Sequence, residues 1–188
     1  MEMIIRFKKP RAFEIIASQK LIPFLPTPVN VVERMLEISD PKPGELLIDL
    51  GSGDGRIPLI AAKKYDCMAV GIEINPKLVE ISRKKVFREQ RLAKKVQIVH
   101  GNLFTADLSN AGIITMYLTP TAISLLKPKL ERELKDGTRV VCHDYPIPGW
   151  RPILTEEIKS HGAHVHKIYL YKVPESIPCK ANKSRTVL

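Results

Sequence analysis

The sequence predicts a single α/β domain with a seven-stranded, mostly parallel sheet, helices on both faces and a C-terminal antiparallel hairpin. Short apolar runs alternate with amphipathic helical stretches between residues 29 and 143, the pattern of a parallel sheet covered on both sides. Two further apolar segments, 152–159 and 163–172, follow without a helix between them. With 188 residues, 44% of them hydrophobic, the chain has the size of one domain and enough apolar side chains for a core.

The predicted domain begins with a rigid segment. Residues 24–28 read Phe-Leu-Pro-Thr-Pro, and each proline restricts itself and the residue before it to extended chain. Residues 29–38 then show the apolar spacing of a helix. Its apolar face holds Val31, Val32, Met35 and Leu36. A turn containing Pro and Gly leads into an apolar run at 45–50, which predicts the first buried strand.

Helices and strands alternate over the next stretch. Residues 56–65 follow a glycine-rich turn and predict a helix, and the apolar run at 67–72 predicts the second strand. An Asn-Pro pair opens the helix predicted at 75–89, because Asn is a good N-cap and Pro fits the first helical position. The alternating apolar run at 96–100 predicts the third strand.

The last elements complete the sheet. Residues 112–117 predict the fourth strand and 138–143 the fifth, with a helix at 120–134 between them. Pro128 lies inside that helix and is predicted to kink or split it, since proline lacks the backbone N–H and crowds the preceding turn. A proline-rich loop then leads to the two final segments, which predict a hairpin at the edge of the sheet.

The most informative motif is the turn at residues 49–55, Asp-Leu-Gly-Ser-Gly-Asp-Gly. Its glycines allow positive φ and a close approach of a ligand to the backbone. A dinucleotide site normally has the spacing G-x-G-x-x-G and would lack the leading Asp49. Here the spacing is G-x-G-x-G, and Asp49 and Asp54 place negative charge in the turn. That suits a ligand with a cationic amino-acid end, and S-adenosylmethionine has one.

A second acid supports the same ligand. Glu73 follows Gly55 by 18 residues and ends the second predicted strand. A carboxylate in that position typically holds ribose hydroxyls in doubly wound α/β folds. The glycine turn, its leading acid and Glu73 together predict a Rossmann-like methyltransferase. A glycine turn that only packs a helix on a strand would not explain three acids at the carboxyl end of one sheet.

Composition sets the compartment and the class of partner. The cysteines, Cys67, Cys142 and Cys179, are odd in number and have no metal-ligand spacing, which favours a reducing cytoplasm. We find no signal peptide and no stretch as long as a membrane span, so no membrane partner is predicted. The predicted boundaries are a basic extension at 1–23, the methyltransferase domain at 24–173 and a disordered tail at 174–188.

A strong positive charge leaves a nucleic-acid partner open. The net charge is +10, and such a balance attracts polyanions, although a solvated basic surface is the plain alternative. Basic residues concentrate in and after the helix at 75–89. They are Lys77, Arg83, Lys84, Lys85, Arg88, Arg91, Lys94 and Lys95. No aromatic ladder accompanies them, so nothing there predicts a reader of bases.

Six segments of the chain together form a distinctive sequence pattern. They are residues 24–36, 49–57, 71–74, 127–130, 137–141 and 143–150. Together they resemble a small archaeal protein-lysine methyltransferase family, which is related to the lysine methyltransferases that modify the adenine nucleotide translocase. The similarity covers roughly residues 20–172. The glycine motif alone is common to class I methyltransferases, whereas its combination with the Pro-Thr-Pro segment is much narrower.

This resemblance implies methyl transfer from S-adenosylmethionine to lysine ε-amines of proteins with exposed lysines, with broad specificity. The candidate cofactor-binding residues are Thr27, Asp49, Gly51, Ser52, Gly53, Gly55, Arg56, Glu73, Ile74, Asn102 and Leu103. Asp49 and the glycines would shape the methionine pocket, and Glu73 would hold the ribose. Thr27 is a hypothesised lid contact to the cofactor carboxylate. Asn102 stands where many class I members have an Asp against the adenine amine.

Two residues are candidates for catalysis. Tyr117 ends the fourth strand, where class I enzymes place the residue that faces the methyl group, and it could instead be a half-buried strand aromatic. His143 ends the fifth strand and could orient or deprotonate the amine together with Asp144, or be a satisfied buried histidine. Trp150 is predicted to pack in the core.

No metal is predicted from the histidines near the C-terminus. His164 and His166 share one face of a strand and His161 lies close by, but no Cys, Asp or Glu joins them at a usual ligand spacing.

Two alternatives stay open. An RNA or small-molecule methyltransferase would use the same fold, but the loop after the fourth strand reads Tyr-Leu-Thr-Pro and lacks the Asn/Asp-Pro-Pro-Tyr/Phe of enzymes that methylate base amines. A non-catalytic protein that only binds the cofactor would normally have a damaged glycine turn, and this one is intact.

Overall fold

The computed structural model describes residues 5–9, 24–159 and 164–178. The strands in these ranges are β1 (Leu46–Leu50), β2 (Met68–Glu73), β3 (Val96–His100), β4 (Ile113–Met116), β5 (Arg139–His143), β6 (Leu154–Lys159) and β7 (Val165–Lys172). The helices in these ranges are α1 (Val29–Ser39), α2 (Arg56–Tyr65), α3 (Pro76–Arg88) and α4 (Pro120–Glu133), with a 3-10 turn at Gln90–Leu92. Their order and approximate bounds follow the sequence-based prediction.

One sheet contains all seven strands in the order β3-β2-β1-β4-β5-β7-β6. The first five strands pair in parallel, and β7 runs antiparallel to both β5 and β6. The predicted mostly parallel sheet with an antiparallel hairpin is therefore confirmed. Since the order reverses between β1 and β4, the carboxyl ends of these two strands flank the crevice where ligands bind in open α/β sheets.

Two apolar layers cover the sheet. Helices α1, α2 and α3 contribute to the layer on one face, and α4 contributes to the layer on the other. Side chains of one strand alternate between the layers, so Leu47 of β1 packs with the first and Ile48 with the second. This two-sided burial confirms the prediction of helices on both faces and explains why the central strands β1, β2 and β4 are mostly apolar.

The start of α3 agrees with the prediction, and α4 is continuous where the sequence allowed a split. Asn75 caps α3 by accepting a hydrogen bond from the Lys77 N–H at 3.0 Å. The predicted split at Pro128 is not observed, because α4 continues through it to Glu133. Buried Leu126 and Leu130 lie on either side of Pro128 and pack in the same apolar layer, which offsets the loss of one helical hydrogen bond.

The N-terminal segment at residues 5–9 packs against the domain. Phe7 forms a β-bridge with Ala106, and the Lys8 N–H donates to the Thr105 carbonyl at 2.8 Å. The Lys8 ammonium also pairs with the buried Glu133 at 2.9 Å. The rest of the predicted basic extension lies outside the described residues.

The chain also folds back after β7. Ser176 is buried, its carbonyl accepts the Arg151 N–H at 2.9 Å, and its hydroxyl accepts the Lys172 N–H at 3.0 Å. Packed structure therefore continues to residue 178, and residues 179–188 of the predicted tail lie outside the described ranges. Among the helices that the structure describes, none is both long and apolar enough to cross a lipid bilayer.

Candidate active site

A cavity of about 440 Å³ opens at the carboxyl ends of β1 to β4. Most of the predicted site residues line it. These are Thr27, Asp49, Gly51, Ser52, Gly53, Arg56, Glu73, Ile74, Asn102, Leu103 and Tyr117. Two predicted residues, Gly55 and His143, do not. The structure therefore separates the predicted residues that face the cavity from those behind it.

The glycine turn has the conformation that its sequence predicts. Gly51, Gly53 and Gly55 all have positive φ, at 78°, 54° and 77°. The N–H groups of Gly51 and Ser52 both donate to the Ile72 carbonyl of β2 at 3.0 Å, which fixes the turn against the sheet. Gly55 lies behind this turn, where a side chain would meet Ser82 of α3. Its role is to pack α2 against α3 rather than to face the cavity.

Asp49 is buried at the base of the cavity. Its Oδ1 accepts a hydrogen bond from the Thr115 hydroxyl at 2.8 Å. Burial raises the pKa of the Asp49 carboxyl to about 7, although the Thr115 hydrogen bond opposes that change. The nearby Ser52 hydroxyl also lowers the pKa of Asp49. Within the described ranges this hydroxyl has no partner at full hydrogen-bond geometry. A buried carboxylate beside a buried hydroxyl suits a cationic ligand that could neutralise the first and bond to the second.

Two cations pair with Asp54 of the glycine turn. Arg56 binds its carboxylate with two hydrogen bonds of 2.8 Å, and Lys85 of α3 adds a third at 2.6 Å. Partial burial acts to raise the pKa of Asp54, but these hydrogen bonds lower it to about 2. Asp54 therefore carries negative charge in the turn and lines the cavity, as the sequence suggests, but two cations that the sequence did not reveal pair with it.

Glu73 organises the opposite wall. Its Oε2 accepts the Gly53 N–H and its Oε1 accepts the Asn75 N–H, both at 2.8 Å. The carboxylate is 8% exposed and lines the cavity. Each oxygen keeps a second lone pair, so the residue can still accept two hydroxyl donors. This arrangement fits the predicted contact to a ribose and links that contact to the glycine turn.

Asn102 lies at the far end of the cavity. Its Oδ1 accepts the Phe104 N–H at 3.0 Å and stabilises the turn after β3. Gly101 and Leu103 line the cavity beside it, and the Phe7 ring lies where a Gly101 side chain would be. The N-terminal segment thus supports this end of the site, which is the predicted adenine end.

Residues 24–27 cover the cavity as a lid. The Phe24 ring lies so close to Gly53 that a Cβ there would be 2.4 Å from it. Arg56 donates to the Thr27 carbonyl at 2.8 Å, and the Thr27 hydroxyl meets His143 Nδ1 at 3.0 Å. The lid is therefore held at Thr27 from both sides, a contact network that the Pro-Thr-Pro sequence did not reveal.

Tyr117 connects the cavity to a polar cluster behind it. Its hydroxyl donates to Asp144 Oδ2 at 3.0 Å, and its ring centroid lies 3.9 Å from that of His143. Burial, followed by the hydrogen bond to Asp144, raises the pKa of Tyr117 to about 12. At neutral pH the phenol therefore stays protonated and keeps its hydrogen bond to Asp144.

His143 is fully buried behind Tyr117. Its Nδ1 faces Thr27, and its Nε2 lies 2.9 Å from His166 Nδ1. Burial lowers the pKa of His143 to about 4, so the imidazole is neutral at pH 7. This geometry supports the alternative of a satisfied buried histidine, because both ring nitrogens have partners and neither faces the cavity.

The structure adds residues to the site that sequence reasoning missed. His166 and His164 approach Asp144 because β7 pairs with β5, and Phe24 closes the lid. The sequence signal for them was the position of His164 and His166 close to one end of the predicted hairpin. Trp150 packs against Tyr171 at 5.7 Å between ring centroids, as predicted.

The cavity therefore fits S-adenosylmethionine by the chemistry of its walls. Asp49 lies at one end of the cavity, Glu73 in the middle and Asn102 at the other end. The turn after Asp49 has no side chains at Gly51 and Gly53. The sequence matches the model of the ANTKMT methyltransferase domain over residues 49–154. The chain belongs to the ANTKMT methyltransferase family.

Similarity over most of the chain supports this membership. The ANTKMT-family chain is 42% identical to a protein-lysine N-methyltransferase of Saccharolobus islandicus strain REY15A, over 82% of this chain and 95% of that protein. It is 32% identical to the adenine nucleotide translocase lysine N-methyltransferase of Mus musculus, over 84% of this chain and 66% of that protein. The predicted family resemblance is confirmed.

A solved structure fixes the cofactor class. A protein described as an RNA methyltransferase from Salinibacter ruber, in complex with S-adenosyl-L-homocysteine, is 42% identical and has a TM-score of 0.74, with coverage of 82% of this chain and 97% of that one. The ANTKMT-family chain is an S-adenosylmethionine-dependent methyltransferase, and the predicted enzyme class and cofactor are confirmed.

Proposed function

We propose that this chain transfers a methyl group from S-adenosylmethionine to the ε-amine of lysine residues in proteins. The observation that carries the proposal is the Tyr117–Asp144 pair beside the cofactor cavity. Tyr117 offers an aromatic wall to an aliphatic side chain, and Asp144 behind it holds the Tyr117 hydroxyl in place. Relatives named as lysine methyltransferases support the same substrate class.

The chemistry asks the protein mainly to position and desolvate the amine. When bound, S-adenosylmethionine supplies an electrophilic methyl group. A lysine ammonium has a pKa of about 10.4 and must lose a proton before it can attack. The ionised Asp144 fixes the Tyr117 hydroxyl from behind the cavity. The low-dielectric aromatic wall of Tyr117 then favours the neutral amine in the cavity. Tyr117 and Tyr145, whose ring centroids are 6.5 Å apart, would align the side chain for in-line displacement.

The loop after β4 favours lysine over a nucleobase amine. Of residues 117–120, Tyr117 lines the cavity, and Thr119 caps α4 by accepting the Ala122 N–H at 3.3 Å. A base-methylating site would need acceptors there for the base amine, together with a stacking ring. The single phenol suits a narrow aliphatic chain better than a planar base.

Broad specificity forms part of the proposal. The relatives are named for different targets, one for the adenine nucleotide translocase and others for a component of the ATP synthase. Residues 24–173 of this chain hold no inserted recognition domain beyond the methyltransferase elements, and residues 160–163 of that range are outside the description. We propose that an exposed, mobile lysine is the main requirement for a substrate and that the enzyme acts in the cytoplasm, where its buried thiols Cys67 and Cys142 stay reduced.

RNA is the second candidate substrate, and two observations favour it. The Salinibacter ruber relative is described as an RNA methyltransferase. In addition, α3 and the turn after it present exposed basic side chains that form no ion pair within the described ranges. These are Lys77, Arg83, Arg88, Arg91 and Lys94. Phe87, 78% exposed on the same helix, could stack on a base.

The two substrates can be separated in one experiment. Purified enzyme is incubated with S-adenosylmethionine labelled in its methyl group, and separately with host protein extract and with host RNA. We expect the label in many protein bands, mapped by mass spectrometry to methyl-lysine. Label confined to RNA would contradict the lysine proposal and make the α3 surface a substrate track. Label in neither would leave a small molecule or a non-catalytic role.

Replacement of Tyr117 by Phe tests the proposed wall. Tyr117→Phe keeps the ring and removes the hydroxyl that donates to the ionised Asp144, so we expect kcat to fall by about tenfold, the low end for one hydrogen bond to a charged group. KM for the cofactor stays unchanged. Tyr65→Phe is the matched control, since Tyr65 ends α2 and does not line the cavity. An unchanged kcat in Tyr117→Phe would refute the role of the hydroxyl.

A further inference from the structure

We propose that His143, Asp144 and His166 form a binding site for one divalent transition-metal ion, and that Zn²⁺ is the ion that fits it best. Two imidazole nitrogens and a carboxylate oxygen, one from each residue, lie within 4.8 Å of one another. His143 and Asp144 stand at the end of β5, and His166 stands on its antiparallel neighbour β7. Two paired strands therefore position the ligands.

The separations suit a tetrahedral ion. His143 Nε2 lies 2.9 Å from His166 Nδ1 and 3.5 Å from Asp144 Oδ1, and His166 Nδ1 lies 3.8 Å from Asp144 Oδ2. Zinc bonds of about 2.0–2.1 Å in tetrahedral geometry separate neighbouring ligand atoms by about 3.3 Å. The measured separations lie on both sides of this value, so small side-chain rotations are enough to admit the ion.

The surroundings of the cluster have the form that metal ligands require. A ligating histidine normally donates its second ring N–H to a fixed acceptor, and His143 Nδ1 faces the Thr27 hydroxyl at 3.0 Å. A ligating carboxylate is normally held by donors. Asp144 Oδ1 accepts the Lys167 N–H and its Oδ2 accepts the Tyr117 hydroxyl, both at 3.0 Å. The partners therefore orient both ligand types before an ion arrives.

A fourth ligand is within reach. His164 is 64% exposed at its side chain, and its Nε2 lies 3.2 Å from Asp144 Oδ2. It can turn towards the ion, or leave the fourth position to water. A set of imidazoles with one carboxylate selects Zn²⁺ and similar ions over Mg²⁺ and Ca²⁺, which prefer oxygen ligands alone.

The site touches the cofactor cavity without belonging to it. His143, Asp144 and His166 do not line the cavity, but Thr27 and Tyr117, which contact the cluster, both do. A bound ion would hold Asp144 in place and thereby restrain the Tyr117 hydroxyl, and it would fix the His143 tautomer that donates to the lid at Thr27. Metal binding does not depend on the identity of the methyl acceptor.

Calorimetric titration of the chelator-treated full-length protein with Zn²⁺ tests the proposal. We expect one ion per chain, a raised Tm, and with Co²⁺ the visible absorption of a tetrahedral site. Asp144→Asn and His166→Gln should each weaken Zn²⁺ binding by at least about tenfold, since even the loss of a supporting residue costs that much. Asn tolerates the positive φ of 59° at residue 144, so the first variant keeps the backbone.

His100→Ala is the matched control for the loss of a histidine. His100 ends β3, with three strands between it and β5, and the variant should bind Zn²⁺ as the wild type does. Circular dichroism verifies that each variant is folded. Wild-type binding no tighter than that of Asp144→Asn and His166→Gln would overturn the proposal and leave a hydrogen-bonded cluster. Equal, stoichiometric binding by all the proteins would overturn it too, because the ion would lie elsewhere.

Discussion

Glu73→Gln is expected to weaken binding of S-adenosylhomocysteine on the order of 100-fold, since hydrogen bonds to charged groups contribute about 1.5–3 kcal/mol each. The carboxylate presents acceptors to both ribose hydroxyls in the proposed complex. The amide keeps one oxygen and turns an NH₂ group towards the other position. Calorimetry at pH 7.5 with the folded variant measures the change directly.

The same substitution should also destabilise the free protein. Glu73 accepts the Gly53 and Asn75 N–H groups, and Gln can accept only one of them. One buried donor then faces another, which costs about 1–3 kcal/mol of the free energy of unfolding. Urea unfolding without ligand measures this loss.

Glu80→Gln is the control for Glu73→Gln. Glu80 is exposed on α3 and pairs only with Lys84 among the residues described, so its replacement should change neither binding nor stability by more than a few tenths of a kcal/mol. If Glu73→Gln binds S-adenosylhomocysteine as tightly as the wild type, Glu73 does not hold the ribose. If binding falls but unfolding is unchanged, its contacts to the glycine turn contribute nothing to stability.

The local features of this chain could be predicted from its sequence. The Asn-Pro pair predicted the start of α3, and the glycine turn predicted three positive φ values, because caps and turns depend on a few adjacent residues. The carboxyl ends of parallel strands meet at one edge, so the sequence also predicted that Asp49 and Glu73 would share a cavity. Both do.

Features that depend on residues far apart in the sequence could not be predicted from it. Asp54 is neutralised partly by Lys85, which is 31 residues away along the chain and close only because α3 packs beside α2. His143 and His166 meet through the register of β5 against β7, which pairs His143 with Ile168. Sequence spacing does not reveal helix packing or strand register. The ion pair of Asp54 with Lys85 and the contact between His143 and His166 were therefore not predicted.

Asp49 gives the second large effect, which appears as a dependence on pH. Its folded pKa is raised to about 7, whereas an unfolded Asp has a pKa of about 3.9. Between these values the folded protein keeps a proton that the unfolded chain has released. The free energy of unfolding of the ligand-free protein therefore falls as the pH rises from about 4 to about 7, and the loss persists above pH 7.

Asp49→Asn should therefore stabilise the ligand-free enzyme while weakening its function. Asn can still accept the Thr115 hydrogen bond but never becomes charged, so we expect a gain on the order of 2–4 kcal/mol in the free energy of unfolding at pH 8, and a smaller gain at pH 5. Urea unfolding at the two pH values tests this. A variant that is less stable than the wild type at pH 8 would show that Asp49 is ionised without cost.

Binding should respond in the opposite sense, because the cationic end of the ligand needs the carboxylate that burial disfavours. Wild-type affinity for S-adenosylhomocysteine is expected to fall by up to about tenfold per pH unit below pH 7, as each bound ligand must displace the proton on Asp49. Asp49→Asn should bind weakly and without this slope. Asp54→Asn is the matched control: the pKa of Asp54 is about 2, so its removal leaves the slope between pH 5 and pH 8 intact. A slope that survives in Asp49→Asn would assign the titration to another group. If the pH dependence of affinity is lost only in Asp49→Asn, the Asp49 carboxylate holds the cofactor. The ionised form that burial disfavours in the free enzyme would then be the form that binds the ligand.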